Sequence, residues 1–208
     1  MNYIEENIKS LPIIATPEVL VVGAGPAGIG AAIAAARCGV KVLLVERYGF
    51  IGGNLTIAMV NPMFTFHDIN GKQVIKGIAG ELVNELIKLK ASKGHVSDLT
   101  FDNASMTPFD PEGMKYLLFK MVMESNVNLL LHTWVVGIQK IEKNISCVII
   151  ENKSGRQAII PKVIIDCSAD ADIIAFSGSK YIKGRENDGA MQPVSLFFRI
   201  GGIDINNL

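Results

Sequence analysis

The sequence predicts an α/β fold: a parallel sheet flanked by helices, an antiparallel β-meander, and the start of a second domain near the end of the chain. Three observations predict it. Val19 to Val22 is a branched apolar run that passes through closely spaced glycines into the helical stretch Pro26 to Arg37. From Asn128 onward the apolar period is two, interrupted by polar turns at Glu142 to Asn144 and Asn152 to Gly155. The run KVIIDCSAD, Lys162 to Asp170, is apolar and ends in small and acidic residues, as a buried parallel strand does.

In chain order, residues 1–17 read as a polar arm that closes in LPIIATP, an apolar patch expected to lie on the domain. The stretch EVLVVGAGPAGIGAAIAAARCGVKVLLVERYG then gives a strand, a glycine turn, a helix and a second strand ending in Glu46. Gly23, Gly25 and Gly28 stand at GxGxxG spacing between strand and helix, the context that makes this spacing a Rossmann-like dinucleotide-binding fingerprint. Gly23 allows the tight turn, Gly25 lets the backbone approach a pyrophosphate, and Gly28 allows close packing of helix on sheet. Pro26 suits the first helical position, and the helix N-terminus presents free N–H groups to phosphate. Glu46, eighteen residues after Gly28, can accept hydrogen bonds from ribose hydroxyls. Its charge repels a 2′-phosphate, which favours FAD or NAD over NADP.

The rival readings of this stretch are a P-loop and a membrane span. No lysine follows the glycines in GKS or GKT form. Val19 to Ala36 carries no charge, but three central glycines and a proline fit the soluble reading better than a spanning helix. Twenty Lys plus Arg balance twenty Asp plus Glu, so no charge excess suggests nucleic acid or an anionic membrane surface as partner. Cys38, Cys147 and Cys167 form no CxxC, and an odd number of dispersed cysteines suits a reducing, cytoplasmic setting. MNYIEENIKS has no apolar signal region.

After Glu46, RYGFIGGNLTIAMVNPMFTF has no steady period and reads as a loop on the phosphate-turn edge of the sheet, where a cofactor's far end would lie. DINGK predicts a hairpin or surface turn. Ile78, Leu82, Leu86 and Leu89 predict a helix over Gly77 to Gly94, with Gly94 as its stop. FDPEGMKYLLFKMVMESN predicts a helix with Asp110 as N-cap and Pro111 at the first position; Met114, Leu117, Leu118, Met121 and Val122 form its core face. LLLHTWVVGIQKIEK, ISCVIIENKSG, RQAIIP and KVIIDCSAD then predict three or four strands, the last beside Val19 to Val22. Asp166 and Asp170 follow its carboxyl end, where open α/β sheets bind ligands.

Asp166, Asp170 and Asp172 match no EF-hand, and the histidines are not at ligand spacing, so no metal is expected. The bland reading of Asp170 is the N-cap of ADIIAFSG. His132, before Trp134, reads as a packed or edge histidine in a strand. No catalytic residue is assigned; His67, the histidine of the loop after Glu46, is a candidate base against a packing role.

These motifs resemble FAD-dependent oxidoreductases of the glutathione-reductase-type flavoprotein superfamily, over nearly the whole chain. The resemblance rests on VLVVGAGPAGIGAAIAAARCGVKVLLVERYGFIGGNLT, GKQVIKGIAGELVNEL, FDPEGMKYLL, LLLHTWVVGI, KVIIDCSADAD and MQPVSLFFRIGG. It implies FAD as cofactor. Gly23, Gly25, Pro26, Ala27 and Gly28 resemble the pyrophosphate turn, Glu46 the ribose acid, and Arg47 its adenine-side neighbour. Gly52, Gly53 and Asn54 resemble the loop along the ribityl chain, and Val135 the residue whose backbone meets adenine. Asp166, Cys167, Ser168, Ala169 and Asp170 match the ATGD segment beside the pyrophosphate, with Ala169 in place of the usual glycine, where its methyl crowds the cofactor.

The resemblance also implies an FAD-binding domain over 18–177 and the beginning of a substrate domain over 178–208, with MQPVSLFFRI as its first strand. The family's returning strand and helix do not follow, which implies a truncated chain, one half of a split enzyme, or a chain that self-associates. The implied activity is hydride transfer from a small-molecule substrate to flavin N5. The alternative is an FAD-binding module without catalysis.

Overall fold

A computed structural model describes residues 10–98 and 104–204. The first nine residues of the arm and the last four of the chain lie outside these described residues. The strands are β1 (Ile13–Ala15), β2 (Val19–Val22), β3 (Val42–Val45), β4 (Met63–Phe64), β5 (Met106–Thr107), β6 (Asn128–Leu130), β7 (Trp134–Ile141), β8 (Asn144–Asn152), β9 (Gly155–Ile159) and β10 (Val163–Asp166). The helices are α1 (Pro26–Arg37), α2 (Ile78–Lys88), α3 (Pro111–Glu124) and α4 (Asp172–Ser177). The chain divides into two compact units, residues 1–50 with 121–179, and residues 51–120 with 180–208.

The first unit holds both large sheets. One is parallel, in the order β10-β2-β3-β6, with Val163 to Asp166 in unbroken register beside Val19 to Val22. The other runs β1-β9-β8-β7; β7, β8 and β9 form the expected antiparallel meander and β1 joins β9 in parallel. Period-two alternation explains how they meet. Leu20 and Val22 of β2, with Leu43 and Val45 of β3, share one buried cluster with Val148, Ile150 and Ile159 of the meander and Ile173 of α4. Leu20, Val148, Ile150 and Ile159 are wholly shielded from solvent. On α1, Gly28, Ile29, Ala32 and Ile33 are the buried residues, one face of an alanine-rich helix.

Several expectations are corrected here. The arm's LPIIATP is a sheet strand in its middle: Ala158 N–H donates to Pro12 O at 2.9 Å and Ile160 N–H to Ala15 O at 3.0 Å. The 128–141 run is two strands in two sheets, split at His132, whose φ of 51° takes it out of extended backbone. With β6 separated, the carboxyl-terminal run gives five strands. The segment Met191 to Ile200 adopts no regular secondary structure, since a strand needs a hydrogen-bonding neighbour; Val194 is 99% and Leu196 85% exposed.

In the second unit, α2 stops at Lys88, six residues before the expected Gly94. Lys90 takes the left-handed conformation (φ 58°), and Ala91 and Lys90 N–H groups close on Leu86 O and Ile87 O, each at 2.9 Å. Gly94 serves a later turn, its N–H reaching Ser92 Oγ at 3.0 Å. The DINGK turn is a hairpin-like bend closed by Asp68, whose Oδ1 accepts the Asn70 and Lys72 amides at 2.9 Å. Asp110 caps α3 as expected, accepting the Gly113 amide at 3.0 Å; Met114, Leu117, Leu118, Met121 and Val122 are all buried.

Candidate functional site

The glycine turn follows from local chemistry. Gly23 has a φ of 93°, and a Cβ there would lie 2.4 Å from Cys167 O, so both conformation and space demand glycine. A Cβ on Gly28 would lie 1.8 Å from Gly23 O, so the turn folds back onto its own helix. Gly25 differs. Its backbone is ordinary extended chain (φ −74°, ψ −175°), and a Cβ there meets nothing within 4 Å. Nothing in the protein requires glycine at that point, and the bare backbone opens onto free space. Pro26 occupies the first helical position, Ala27 follows, and no side chain caps α1. The uncapped N–H groups and the helix dipole suit an anion.

Glu46 stands directly beyond β3 and is buried, 7% exposed. Its Oε2 accepts the Ala24 amide at 2.8 Å and its Oε1 the Tyr48 amide at 3.0 Å. The carboxylate thus ties the glycine turn to the end of the neighbouring strand, and each oxygen keeps a lone pair for a further donor. Beside it, the exposed Arg47 guanidinium lies 4.8 Å from the Tyr48 ring centroid and 5.2 Å from that of Trp134. The segment is stitched to the start of β7: Thr133 N–H donates to Glu46 O at 3.0 Å and His132 N–H to Tyr48 O at 3.1 Å. His132 lies outside any strand and is exposed, its ring standing where a Gly49 side chain would be. Val135, one residue beyond Trp134, pairs with Ile150 and packs on the buried cluster.

The segment after β10 is organised by Asp166. Its Oδ1 accepts Ser168 Oγ–H at 2.6 Å and the Ser168 amide at 3.1 Å, and its Oδ2 accepts the Ile173 and Ile174 amides at 3.0 and 3.2 Å. Asp166 therefore caps α4 from a distance, and Ser168 Oγ adds the Asp172 amide at 2.9 Å. This corrects the reading of Asp170 as the cap: the N-cap is Ala171, with no side-chain bond of its own. Ala169 has a φ of 76° and Ala171 of 58°, both left-handed. Ala169 thus occupies a position that favours glycine on conformation alone. Burial, and then the Asp166 charge, push the Cys167 thiol above its ordinary value, so it stays protonated.

The structure thus gathers Gly23, Gly25, Pro26, Ala27, Gly28, Glu46, Arg47, Val135, Asp166, Cys167, Ser168, Ala169 and Asp170 in the first unit. Gly52, Gly53 and Asn54 belong to the second, where Gly53–Leu55 is a single 3-10 turn entered through left-handed Gly52 (φ 117°). A Cβ on Gly52 would meet Thr56 at 2.4 Å. His67 also lies in the second unit, its ring 4.9 Å from that of His95. Sequence spacing gave no sign of that pair. The Arg47–Trp134 contact and the Glu46–Ala24 bond were equally invisible, since each joins residues far apart in the chain. Among the described residues no group of three metal-binding side chains occurs and no helix is long and apolar enough to cross a membrane.

A parallel sheet, an uncapped glycine turn and a buried acid at the next strand end define a Rossmann-like dinucleotide-binding fold. Residues 18–207 match the model of the FAD dependent oxidoreductase family, and the chain belongs to that family. Membership carries FAD as cofactor. Over 105 residues the chain is 36% identical to an NADH oxidase of Thermoanaerobacter brockii, covering 50% of this chain and 14% of that protein. The chain thus spans about a seventh of that relative's length. The L-proline dehydrogenase from P. horikoshii superposes with a TM-score of 0.58 at 18% identity, over 84% of this chain and 58% of that one. The p-nitrophenol 4-monooxygenase from Pseudomonas putida DLL-E4 gives 0.56 at 13% identity, over 79% and 44%. At these identities the likeness is one of fold.

Proposed function

We propose that this chain binds FAD at the Gly23 to Gly28 turn and serves a flavin-dependent oxidation of a small organic substrate in the cytoplasm. The observation that carries the reading is Gly25: a glycine that the protein's own packing does not need, at an uncapped helix N-terminus beside a buried carboxylate. Those features fit a pyrophosphate approaching the backbone and a ribose offering hydroxyls to Glu46. Ala27 and Gly28 amides hold the phosphates, Arg47 and the Val135 backbone border the adenine, and the Asp166 to Asp170 segment forms the pyrophosphate's other wall. In this assignment residues 18–177 are the FAD-binding domain and 178–208 begin a substrate domain.

FAD, when bound, supplies a hydride acceptor at its ring; the protein supplies orientation, exclusion of water and proton handling.

The test is the visible absorption spectrum of the purified chain before and after adding FAD, with released cofactor identified by mass. Stoichiometric flavin that a donor bleaches and an acceptor restores supports the enzyme; bound flavin that never turns over supports a non-catalytic module; folded protein that takes no FAD overturns both. A second reading, association with another chain or with itself, is favoured by the exposed Val194, Leu196 and Phe198 of an extended segment without secondary structure. Light scattering at increasing concentration tests self-association, and complementation by a separately expressed carboxyl-terminal partner tests a split enzyme.

A further inference from the structure

Between left-handed Gly189 (φ 69°) and left-handed Gly202 (φ 73°) no residue has a positive φ, so the backbone keeps one hand throughout. The root of this segment is fixed. Gly189 N–H donates to Arg185 O at 2.8 Å and Arg185 N–H to Ala190 O at 3.0 Å. The Asp188 carboxylate accepts both the Arg185 guanidinium and, at 2.9 Å, the Ala190 amide. A Cβ on Gly184 would lie 2.2 Å from Gly189 O, so the turn admits nothing larger. Beyond it Val194, Leu196, Phe197, Phe198 and Ile200 are all exposed. A built turn thus holds out an apolar arm that joins no sheet of the described residues.

The arm mirrors itself. About Phe197, Val194 answers Ile200, Ser195 answers Arg199 and Leu196 answers Phe198, apolar to apolar and polar to polar. Its limits match too: Pro193, which has no N–H for a ladder, stands opposite Gly201 across the same centre. In a strand, Val194, Leu196, Phe198 and Ile200 would share one wholly apolar face, with Ser195, Phe197 and Arg199 on the other. Two antiparallel strands related by a two-fold axis require this symmetry, because residue i of one copy faces j of the other and j faces i.

Charge selects the same direction. Arg199 is the only charged residue from Ala190 to Ile203. In a parallel pair the two Arg199 side chains would lie about 5 Å apart, a destabilising contact. Antiparallel about Phe197, each faces a serine, and the two arginines stand about 14 Å apart along the strands.

We propose that Val194 to Ile200 is a dimerisation strand, paired antiparallel about Phe197 with the same arm of a second copy of this chain. Val194 then meets the partner's Ile200, Leu196 the partner's Phe198, and Phe197 its own counterpart, while the amides and carbonyls of each arm gain a ladder. A strand of unrelated sequence would satisfy the backbone equally but would not require the arm to mirror itself. The proposal rests on the self-association reading above and is independent of flavin.

The test is sedimentation equilibrium of the full chain without added FAD, over a concentration series. A reversible dimer is expected. Leu196→Asp, at an exposed position, should leave circular dichroism unchanged and weaken the dimer at least about tenfold. Ser195→Glu places a carboxylate opposite Arg199 twice per dimer and should tighten it by about twofold to thirtyfold; Ser195→Arg should weaken it by a similar factor. With the exposed Cys38 changed to serine, Phe197→Cys should form a disulfide-linked dimer on mild oxidation. Val194→Cys should link to Ile200→Cys and not to itself. A monomer at every concentration overturns self-association altogether. A dimer that survives Leu196→Asp, weakens with Ser195→Glu, or links through Val194→Cys alone overturns this pairing and leaves self-association standing.

Discussion

Glu46 Oε2 accepts the Ala24 amide at 2.8 Å, so the acid at the end of β3 holds the glycine turn at the end of β2. Its other oxygen takes the Tyr48 amide. Replacing Glu46 by Gln keeps the shape but turns an NH₂ toward one of those amides. The expected loss is about 2 to 3 kcal/mol of stability, since a buried charged acceptor is lost and a donor left unmatched. Urea unfolding measures it, and FAD titration should show weaker binding.

Gly25 and Gly28 separate cofactor from fold. Gly25→Ala places a methyl in open space on ordinary backbone, so stability should change by about 0.5 kcal/mol or less. FAD affinity should fall at least about tenfold, because the methyl stands where a phosphate approaches. Gly28→Ala drives a Cβ into Gly23 O and should fail to fold. Circular dichroism and flavin fluorescence distinguish the two.

Ala169 has a φ of 76°, a conformation costly for any residue with a Cβ. Ala169→Gly relieves about 1 to 2 kcal/mol of strain and gives back about 0.4 to 1 kcal/mol through a more flexible unfolded chain. A net gain of roughly 0 to 1.6 kcal/mol, centred near 0.8, is expected. It should appear as a higher urea midpoint at unchanged slope, together with tighter FAD binding.

His95 is held below its ordinary value of 6.5 by burial and by the His67 charge. Its folded form therefore binds a proton less readily than the unfolded chain. Its contribution to stability is complete above pH 6.5 and is lost as pH falls from there through the lower folded value. His95→Gln should flatten that acid limb in unfolding curves taken across the range.

Much of this was legible because it is local. The apolar run of β2, the glycine spacing, and Asp110 with Pro111 each specify structure within a few residues. What was missed depends on partners distant in sequence. β1 is three residues with exposed Ile13 and Ile14, and it is a strand only because β9 lies beside it. His132 breaks one apparent strand into two because Glu46 and Tyr48 carbonyls claim the amides around it. Lys90 ends α2 although Gly94 is the better stop by residue type. Asp166 reaches past Asp170 to cap α4, and the two histidines meet through strands too short to show a period.

The order of the parallel sheet carries a further consequence for synthesis. β2, near the amino terminus, is completed on one side by β3 and on the other by β10, and Gly23 closes against the Cys167 carbonyl. At about 5 to 20 residues per second, roughly 7 to 30 s separate the making of Val22 from that of Asp166. Throughout that interval an apolar strand edge on the ribosome has no final neighbour. The first motif a reader finds in this chain is among the last to be finished, and its safe passage falls to whatever shields the nascent polypeptide.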